Sequence, residues 1–388
     1  MIESTKCVGC QACSFFCPVN AITFHYDIWG TYHASLDSAK CIRCGKCEKI
    51  CPAININVNA TVQTVFAAIS KENRSTGSSG GVFYELASAM IGNGGVVYGA
   101  SFDSNLKLIH KRVDRQEELL SLCRSKYLHS DMSGVFPLLE ADLKKGQNVL
   151  FVGTPCQAGA VKNAFAKNYS ANLIVVDFLC HGTASQKIFD ACIRSEEERK
   201  HGKIVDFTFR AKTRKAEHSF SYTLEKKGKK RTITGYSFQF PFYYQYLRYS
   251  IFNDACYSCP YSKQERVGDI TLGDFWKIQE YDPTLDDKEG VSMVSVNTQQ
   301  GRDFFSRVTD RLEIWSYPIE NAAKNNQSFR QPERFPDEKI HFVQVLSDRG
   351  EEALVEDMAC KKLIKHLVYS GTPKIIKDIY ESMKGRLR

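Results

Sequence analysis

The chain lacks any long hydrophobic run. Nowhere in its 388 residues does an apolar stretch reach the roughly 18 residues that a membrane-spanning helix needs. The apolar stretch of an export signal is also missing, because Lys6 is followed directly by cysteines. The composition is that of an ordinary globular protein, with 43% hydrophobic and 25% charged residues. We therefore expect a cytoplasmic protein without a membrane span.

A strong excess of one charge is absent too. The formal net charge is +8, and part of it lies in one run at residues 226–231 (KKGKKR). The flanking segments 220–224 and 232–234 alternate like strands, so the run predicts a solvated hairpin tip. A nucleic-acid-binding patch is the alternative, but a charge run alone carries no geometry for reading bases. We expect no nucleic-acid partner.

Cysteine, in contrast, is abundant, with fifteen residues. Disulfides are not favoured without an export signal. Eight cysteines form two copies of C-x2-C-x2-C-x3-C-P, the pattern of bacterial ferredoxins, in which the fourth cysteine of each copy binds the other cluster. Zinc is the alternative, but a zinc site needs neither the third cysteine nor the Cys-Pro terminus. The pattern predicts two [4Fe–4S] clusters, one on Cys7, Cys10, Cys13 and Cys51 and one on Cys41, Cys44, Cys47 and Cys17.

These two runs define a ferredoxin-type domain over residues 1–60. Its apolar residues Ile22, Phe24, Ile54 and Ile56 are expected to form a small core between the clusters. Two clusters provide a route for single electrons but no reaction by themselves. The length of the remaining chain favours a module that feeds an active site on the same polypeptide.

The segment at residues 71–81 (KENRSTGSSGG) is polar and rich in glycine, as in a linker. Helical periodicity follows at once over residues 82–91. Residues 78–81 are therefore expected at a helix N-terminus, where free backbone N–H groups and the helix dipole favour an anion such as a phosphate.

Two apolar strands are predicted at residues 148–152 and 173–177. Each is followed by a glycine-containing turn and a helix, the first helix at residues 159–166, which indicates a parallel α/β sheet. Cys156 and Cys180 come just after the carboxyl ends of these strands, where ligands bind in open α/β sheets. With the pair Cys256-x2-Cys259 they make four thiolates from three loops. A third cluster and ordinary core cysteines are both compatible with this spacing.

Other candidate residues stand alone. Three cysteines without a partner in a motif are expected in the core: Cys123, Cys192 and Cys360. Three histidines have rings suited to acid–base chemistry, but the sequence assigns catalysis to none of them: His129, His181 and His218. The last fifty residues, from about Asp337, are predicted to form amphipathic helices.

Taken together and in order, six short motifs are specific. With them the chain resembles the coenzyme F420 hydrogenase/dehydrogenase beta-subunit family over roughly residues 75–335, and the ferredoxin module in front is a common fusion. The motifs are Ser79–Gly81, Ser125–Tyr127, Gly153–Gln157, Cys180–Gly182, Cys256–Cys259 and Asp269 with Gly273–Asp274.

The resemblance implies FAD bound in an α/β domain beside a [4Fe–4S] cluster. A cation such as Lys126 near the flavin would stabilise its anionic reduced form. The implied fold is a small α+β ferredoxin-like domain, an α/β flavin-binding domain (61–336, in parts of about 75–150 and 151–336) and a helical tail (337–388). The implied ligands of the third cluster are Cys156, Cys180, Cys256 and Cys259, and those of FAD are Ser78, Ser79, Gly80, Gly81, Ser125, Lys126, Tyr127 and Thr154.

Three functions are compatible with these features. The first is an iron–sulfur flavoprotein oxidoreductase that passes electrons between a ferredoxin-like carrier and a small hydride acceptor or donor. The second is an electron-transfer subunit of a larger redox complex, without a substrate site of its own. The third is a non-redox binding or transferase domain behind a ferredoxin module. The sequence carries no readable signature for coenzyme F420 and identifies no hydride acceptor.

Overall fold

The computed structural model describes residues 3–212, 218–285 and 289–359. Its N-terminal module consists of a β-hairpin and two short helices: β1 (Ile22–Tyr26), β2 (Tyr32–Leu36), α1 (Ala12–Phe15) and α2 (Lys46–Ile50). The hairpin is antiparallel, as the short connection between the strands requires. Each helix directly precedes or contains cysteines of the ferredoxin pattern.

The expected core of this module is only partly correct. Ile22 is buried, and Phe24 is half-buried and stacks on Tyr32. Ile54 and Ile56 are 45% and 38% exposed, so their assignment to the core was wrong. The module buries apolar surface against the larger domain instead: Ala12 and Ile50 belong to one core cluster with Phe136 and Phe165.

A mixed eight-stranded sheet forms the centre of the molecule. In chain order the remaining strands are β3 (Thr64–Ser70), β4 (Val96–Phe102), β5 (Leu108–Val113), β6 (Val149–Gly153), β7 (Leu173–Phe178), β8 (Lys203–Phe209), β9 (Ser219–Lys226), β10 (Lys229–Tyr236), β11 (Ile270–Asp274), β12 (Ser292–Val296) and β13 (Leu312–Pro318). The sheet order is β13-β3-β12-β11-β7-β6-β4-β5. The central strands β11, β7, β6 and β4 run parallel, which confirms the predicted parallel sheet there. The flanking strands pair antiparallel.

Helices cover both faces of this sheet. The further helices are α3 (Val82–Gly92), α4 (Val135–Lys144), α5 (Pro155–Val161), α6 (Lys167–Tyr169), α7 (Gln186–Lys200), α8 (Pro241–Leu247), α9 (Gln299–Phe305), α10 (Ile319–Lys324) and α11 (Asp337–Met358). Helices α3 and α9 pack on one face, and α4, α5 and the module pack on the other. The helix expected from residue 159 begins four residues earlier, because Thr154 and Gln157 cap it and proline occupies its first position.

Strands β8, β9 and β10 form a second sheet, packed with α7, α8 and α11. The basic run is a hairpin tip, as predicted: Lys226 pairs with Lys229, and the turn at Lys227 and Gly228 has positive φ. Helix α11 begins at the predicted position but buries Phe342 and Leu346 in this core, so it is an integral element and not a loose tail.

The isolated cysteines behave as expected where they are described. Cys123 and Cys192 are buried in the core, whereas Cys360 lies outside the described residues. In the described part of the chain, no helix combines the length and apolar character needed to cross a membrane.

Candidate cluster-binding and flavin-binding sites

Five cysteines of the module line one cavity, and four of them are those that the ferredoxin spacing assigns to one cluster. We call Cys7, Cys10, Cys13 and Cys51 the first site. Burial raises the pKa of Cys10 well above its usual value, and the nearby thiols of Cys13, Cys51 and Cys7 raise it further. Burial, with the thiols of Cys7 and Cys51, also raises the pKa of Cys13 to about 12. The structure thus groups the four cysteines that the ferredoxin spacing assigns to one cluster.

His33 is a neighbour of the first site that the sequence did not reveal. Burial alone would raise the pKa of Cys7, but a hydrogen bond from His33 and backbone N–H groups lower it overall. His33 Nε2 lies 2.8 Å from Asp27 Oδ2. The hydrogen bond to Asp27, together with the one to Cys7, raises the pKa of His33 to about 9. His33 thus links the Asp27 carboxylate with the neighbourhood of the Cys7 sulfur.

The second cysteine set of the module is more exposed. We call Cys17, Cys41, Cys44 and Cys47 the outer site. Cys44 is exposed and the other three are half-buried. Backbone N–H groups of Ala21 and Arg43 donate to Cys17 Sγ (3.2 Å) and Cys41 Sγ (3.4 Å). Cys47 also lines the cavity of the first site, so the two sites adjoin. The shared ligation of a second cluster by the outer site stays a prediction.

A second cavity, of about 150 Å³, is lined by all four remaining motif cysteines. We call Cys156, Cys180, Cys256 and Cys259 the inner site. Cys156 lies in the first turn of α5, after β6, and Cys180 follows the neighbouring parallel strand β7. Cys256 lies in the 3-10 turn Asp254–Ser258 and Cys259 directly follows it. The three loops converge as the sequence led us to expect.

Burial dominates the electrostatics of the inner site. It raises the pKa of Cys156 to about 12 and that of Cys256 to about 11, and the neighbouring thiols add to the shift of Cys156. Buried thiolates need positive charge, which iron would supply. Thr154 Oγ1 lies 3.2 Å from Cys156 Sγ, and the Thr183 N–H donates to Cys256 Sγ at 3.4 Å. Such hydrogen bonds tune the potential of a cluster.

The Cys180 loop is fixed by a close aromatic contact. A Cβ added to Gly182 would lie 2.2 Å from the ring of Phe252, so only glycine fits at this position. The Tyr246 hydroxyl donates to the Gly182 carbonyl at 2.8 Å. Cys180 is thereby held toward the cavity by contacts on the residues that follow it.

The arrangement of these cysteines differs from that of a zinc site. Among residues 3–212, 218–285 and 289–359, no three His, Cys, Asp or Glu side chains converge closely enough to hold one metal ion. Zinc requires its ligands about 2.0–2.3 Å from a single ion. The ligands of a [4Fe–4S] cluster bind four different iron atoms and stand further apart. The cysteines of the first and inner sites line two cavities.

Tyr261 lies between the first and inner sites. Its ring is 2% exposed, and its hydroxyl donates to the Pro52 carbonyl, next to Cys51, at 2.7 Å. Burial raises the pKa of Tyr261, and thiols of both sites add to the shift. Cys7 lines both cavities, which makes the two sites direct neighbours. No sequence motif marks Tyr261, because its role depends on two segments that are distant along the chain.

Two of the segments predicted to contact flavin meet in space. The Ser125 N–H donates to Ser78 Oγ at 2.8 Å, beside the N-terminus of α3 that Gly81 caps. Ser79 Oγ is buried and has no hydrogen-bond partner among the residues that the structure describes. Tyr127 stacks on Tyr246 with ring centroids 4.2 Å apart. Because Tyr246 contacts the Cys180 loop, this region adjoins the inner site.

The resemblance also assigns Lys126, Thr154 and Gly80 to FAD, and the structure shows which protein atoms they contact. Lys126 Nζ donates to the carbonyls of Cys123 (2.7 Å) and Leu122 (3.3 Å), and burial lowers the pKa of Lys126 to about 8. Its ammonium is thus directed at backbone carbonyls. Thr154 lines the inner cavity and contacts Cys156. Gly80 donates its N–H to Ser292 Oγ at 3.0 Å.

A group of cations near Ser79 was missed by the sequence, because its members are scattered along the chain. Lys212 Nζ donates to the carbonyls of Ser79 (2.9 Å) and Arg74 (2.6 Å). Burial, and then the charges of Arg74, Arg210 and Arg124, lower the pKa of Lys212 to about 8. Arg210 pairs with Asp274 and lies 5.3 Å from the centre of the Trp276 ring. Crowded cations of this kind favour a bound anion.

The three candidate histidines occupy different environments. His129 and His181 line the inner cavity, and His181 Nδ1 lies 3.0 Å from Glu333 Oε1. Burial lowers the pKa of His129. His218 lies beside Trp276, and its Nδ1 is buried without a partner. None of the three is assigned a catalytic role by this geometry.

Comparisons with known proteins agree with the two-part organisation. No curated protein matches the chain. Residues 6–55 match the family described as 4Fe-4S dicluster domain. A chain in a xenon-derivatised structure of the F420-reducing [NiFe] hydrogenase complex from Methanosarcina barkeri is 15% identical, with a TM-score of 0.44, over 81% of this chain and 94% of that chain. Residues 146–322 match the family described as the C terminus of the coenzyme F420 hydrogenase/dehydrogenase beta subunit. The predicted resemblance is therefore confirmed: residues 146–322 are similar to the coenzyme F420 hydrogenase/dehydrogenase beta-subunit family, and a 4Fe-4S dicluster domain precedes them at residues 6–55.

Proposed function

We propose that the chain is an iron–sulfur flavoprotein oxidoreductase. It exchanges single electrons with a carrier protein through three [4Fe–4S] clusters and exchanges a hydride with a small molecule at FAD. The observation that most strongly supports this proposal is that four cysteines from three loops line one cavity. Cys7 of the first site also lines this cavity. Ordinary core cysteines would have no reason to converge beside a ferredoxin module.

In this proposal the residues of the chain define a route from the surface to the interior. The outer site adjoins the first site through Cys47, and the first site adjoins the inner site through Cys7 and Tyr261. Tyr246 and Tyr127 then connect the Cys180 loop with Ser125. The hydrogen bonds of Thr154 and Thr183 to sulfur would set the potential of the inner cluster.

FAD supplies the exchange between single electrons and a hydride, because flavin accepts one or two electrons. The residues placed to bind its phosphates are Ser78 and Ser79 at the N-terminus of α3, with Arg74, Arg124 and Lys212 nearby. Ser79 Oγ, buried and unpaired, is available to a ligand.

Cofactor analysis tests the proposal directly. After anaerobic purification and reconstitution we expect about twelve irons and a matching amount of sulfide per chain, with one FAD. About eight irons and no flavin would overturn it. If the cofactors are present, a screen of small hydride donors and acceptors with the chain alone distinguishes an enzyme from an electron-transfer subunit.

A charge-neutralising variant tests the flavin site. Arg124 has φ +69 and lies near Lys212, so Arg124→Asn removes one cation at a left-handed position that asparagine tolerates. We expect FAD to bind about tenfold more weakly, the effect of one charge-assisted hydrogen bond. Lys227→Asn is the matched control, at φ +51 in the basic hairpin. Equal FAD affinity in the two variants would remove the cation group from the flavin site.

A further inference from the structure

The surface over the outer site differs in character from the rest of the module. Cys44 is exposed. The ten residues 40–49 around it contain four exposed cations and one carboxylate, Glu48. The cations are Lys40, Arg43, Lys46 and Lys49. Lys40 pairs with Asp37 at 3.3 Å. The side chains of the other three cations form no ion pair within the described ranges.

Apolar side chains lie among these charges. Ile42 is 61% exposed, between Cys41 and Arg43. Ile54 and Ile56 are also exposed, and their segment lies against α2, since Asn55 Nδ2 donates to the Lys49 carbonyl at 2.7 Å. An exposed apolar centre with a charged rim is the usual anatomy of a protein–protein interface. We call this surface, Lys40–Lys49 with Ile54 and Ile56, the basic face.

We propose that the basic face is the docking surface for a small, acidic iron–sulfur protein. This inference rests on the iron–sulfur part of the proposed function and adds the place and the charge of the partner. Carboxylates of the partner would meet Arg43, Lys46 and Lys49, and its apolar surface would cover Ile42. Each encounter exchanges one electron: the partner and the outer cluster change oxidation state by one in opposite directions, and no bond or proton is transferred.

The positive charge of the basic face favours a partner with an acidic surface. Uncompensated cations around an exposed cysteine attract an acidic surface and raise its association rate by about 10 to 10³ at low ionic strength. The exposure of Cys44 makes the outer site the part of the cysteine series nearest to solvent. A neutral small molecule would gain nothing from the cations.

The experiment measures electron exchange between the reconstituted full chain and a reduced, acidic plant-type ferredoxin by stopped flow. The test variant is Arg43→Glu/Lys46→Glu/Lys49→Glu. The matched control is Lys227→Glu/Lys229→Glu/Lys230→Glu, which makes the same change in net charge on the hairpin of β9 and β10. Arg43 and Lys227 both have positive φ, at +53 and +51, so the backbone demands also match.

At about 10 mM ionic strength we expect the test variant to lose about tenfold or more in the second-order rate constant, and the control to lose less than about twofold. In about 0.5 M salt the wild type should approach the test variant. Equal rates in the two variants, or a wild-type rate that salt does not change, would overturn the proposal.

A second variant guards against loss of the outer cluster in the charge-reversed protein. Ile42→Ser leaves every cation in place and should lower the rate while preserving its salt dependence. A rate equal to that of the wild type would contradict an apolar centre at Ile42. Iron and flavin contents are measured in every sample. Missing flavin would overturn the proposed function and leave the docking result readable, whereas equal rates with full cofactors would overturn the docking surface alone.

Discussion

The outer and inner sites use the same ligand in different settings. Three of the outer cysteines lie within seven residues of sequence, and one of them is exposed. The inner cysteines come from three loops and line a cavity in which burial raises the pKa of Cys156 and Cys256. An exposed cysteine suits exchange with a partner, and cysteines that line a cavity suit delivery of electrons to a cofactor inside the protein. The comparison indicates a path for electrons that connects the surface with the interior.

The largest expected effect tests whether the inner site holds a cluster at all. Cys156→Ala should lower the iron content from about twelve to about eight per chain, because the loss of one ligand removes a whole cluster. The measurement is iron and sulfide analysis with electron paramagnetic resonance of the reduced protein. Cys192→Ala is the control, since this thiol is also buried but lies in the core between α7 and α8.

The iron content of the cysteine variants shows whether the outer and inner sites each hold a cluster. Unchanged iron in Cys156→Ala would leave the four thiols as core residues and would favour a non-redox domain. Cys44→Ala should also remove about four irons, but it should leave the inner signal intact. If Cys156→Ala instead removed all of the iron, the sites would not load independently.

The same contrast explains what could be predicted from the sequence. The eight module cysteines follow a local spacing, so the sequence assigns them to clusters without knowledge of the fold. Cys156 and Cys180 could be placed together because they follow neighbouring parallel strands, a relation that the strand pattern already indicates. Cys256 and Cys259 could be grouped with them as a candidate set, but the family resemblance was needed to favour a cluster over core cysteines, since no spacing rule joins a loop so far along the chain.

Other features could not be predicted because they depend on long-range packing. Tyr261 and Pro52 meet only after the module docks on the sheet. Arg74, Arg124 and the neighbouring Arg210 and Lys212 come from three separate loops, and none belongs to a motif. Ile54 and Ile56 are hydrophobic, which favours burial, but the ligand loops of a two-cluster module leave too small a core to cover them.

The next prediction concerns the contact between the first and inner sites. A Cβ added to Gly159 would lie 2.5 Å from the Tyr261 hydroxyl and 3.3 Å from Pro52 Cβ. Gly159→Ala should therefore displace Tyr261 and destabilise the protein by up to about 3 kcal/mol, the usual cost of overpacking. Chemical unfolding measures the loss, and the magnetic interaction between the two reduced clusters should weaken. An unchanged stability and an unchanged spectrum would show that the contact is not tight.

Acid should destabilise the protein through the buried His110, which contacts the end of β6 ahead of Cys156. His110 is buried, with Nε2 3.0 Å from the Val152 carbonyl and Nδ1 2.8 Å from Ser130 Oγ, which also binds Gln157. Burial lowers the pKa of His110 to about 4. The unfolded chain takes up a proton below about pH 6.5 while the folded chain does not, so the stability due to His110 falls as the pH falls.

At pH 5 this difference costs about 2 kcal/mol relative to pH 7. Unfolding curves at the two pH values should show the loss in the wild type and a smaller loss in His110→Asn. His201→Asn is the control, because His201 is exposed at the end of α7 and has φ +53, which asparagine tolerates. The same pH dependence in all three proteins would exclude His110 as its source.

The smallest expected effect concerns Tyr261, between the first and inner sites. It separates the contribution of the Tyr261 hydroxyl from that of the ring. Tyr261→Phe keeps the ring between the first and inner sites and removes only the hydrogen bond to the Pro52 carbonyl. The cost should be about 1 kcal/mol of stability, with full iron content. If Tyr261 acts by holding the module against the inner site, electron exchange between the two clusters should slow modestly, and Tyr261→Ala should slow it much more. Equal exchange rates in the wild type, Tyr261→Phe and Tyr261→Ala would show that the route through Cys7 suffices, and that the inner site receives its electrons independently of this tyrosine.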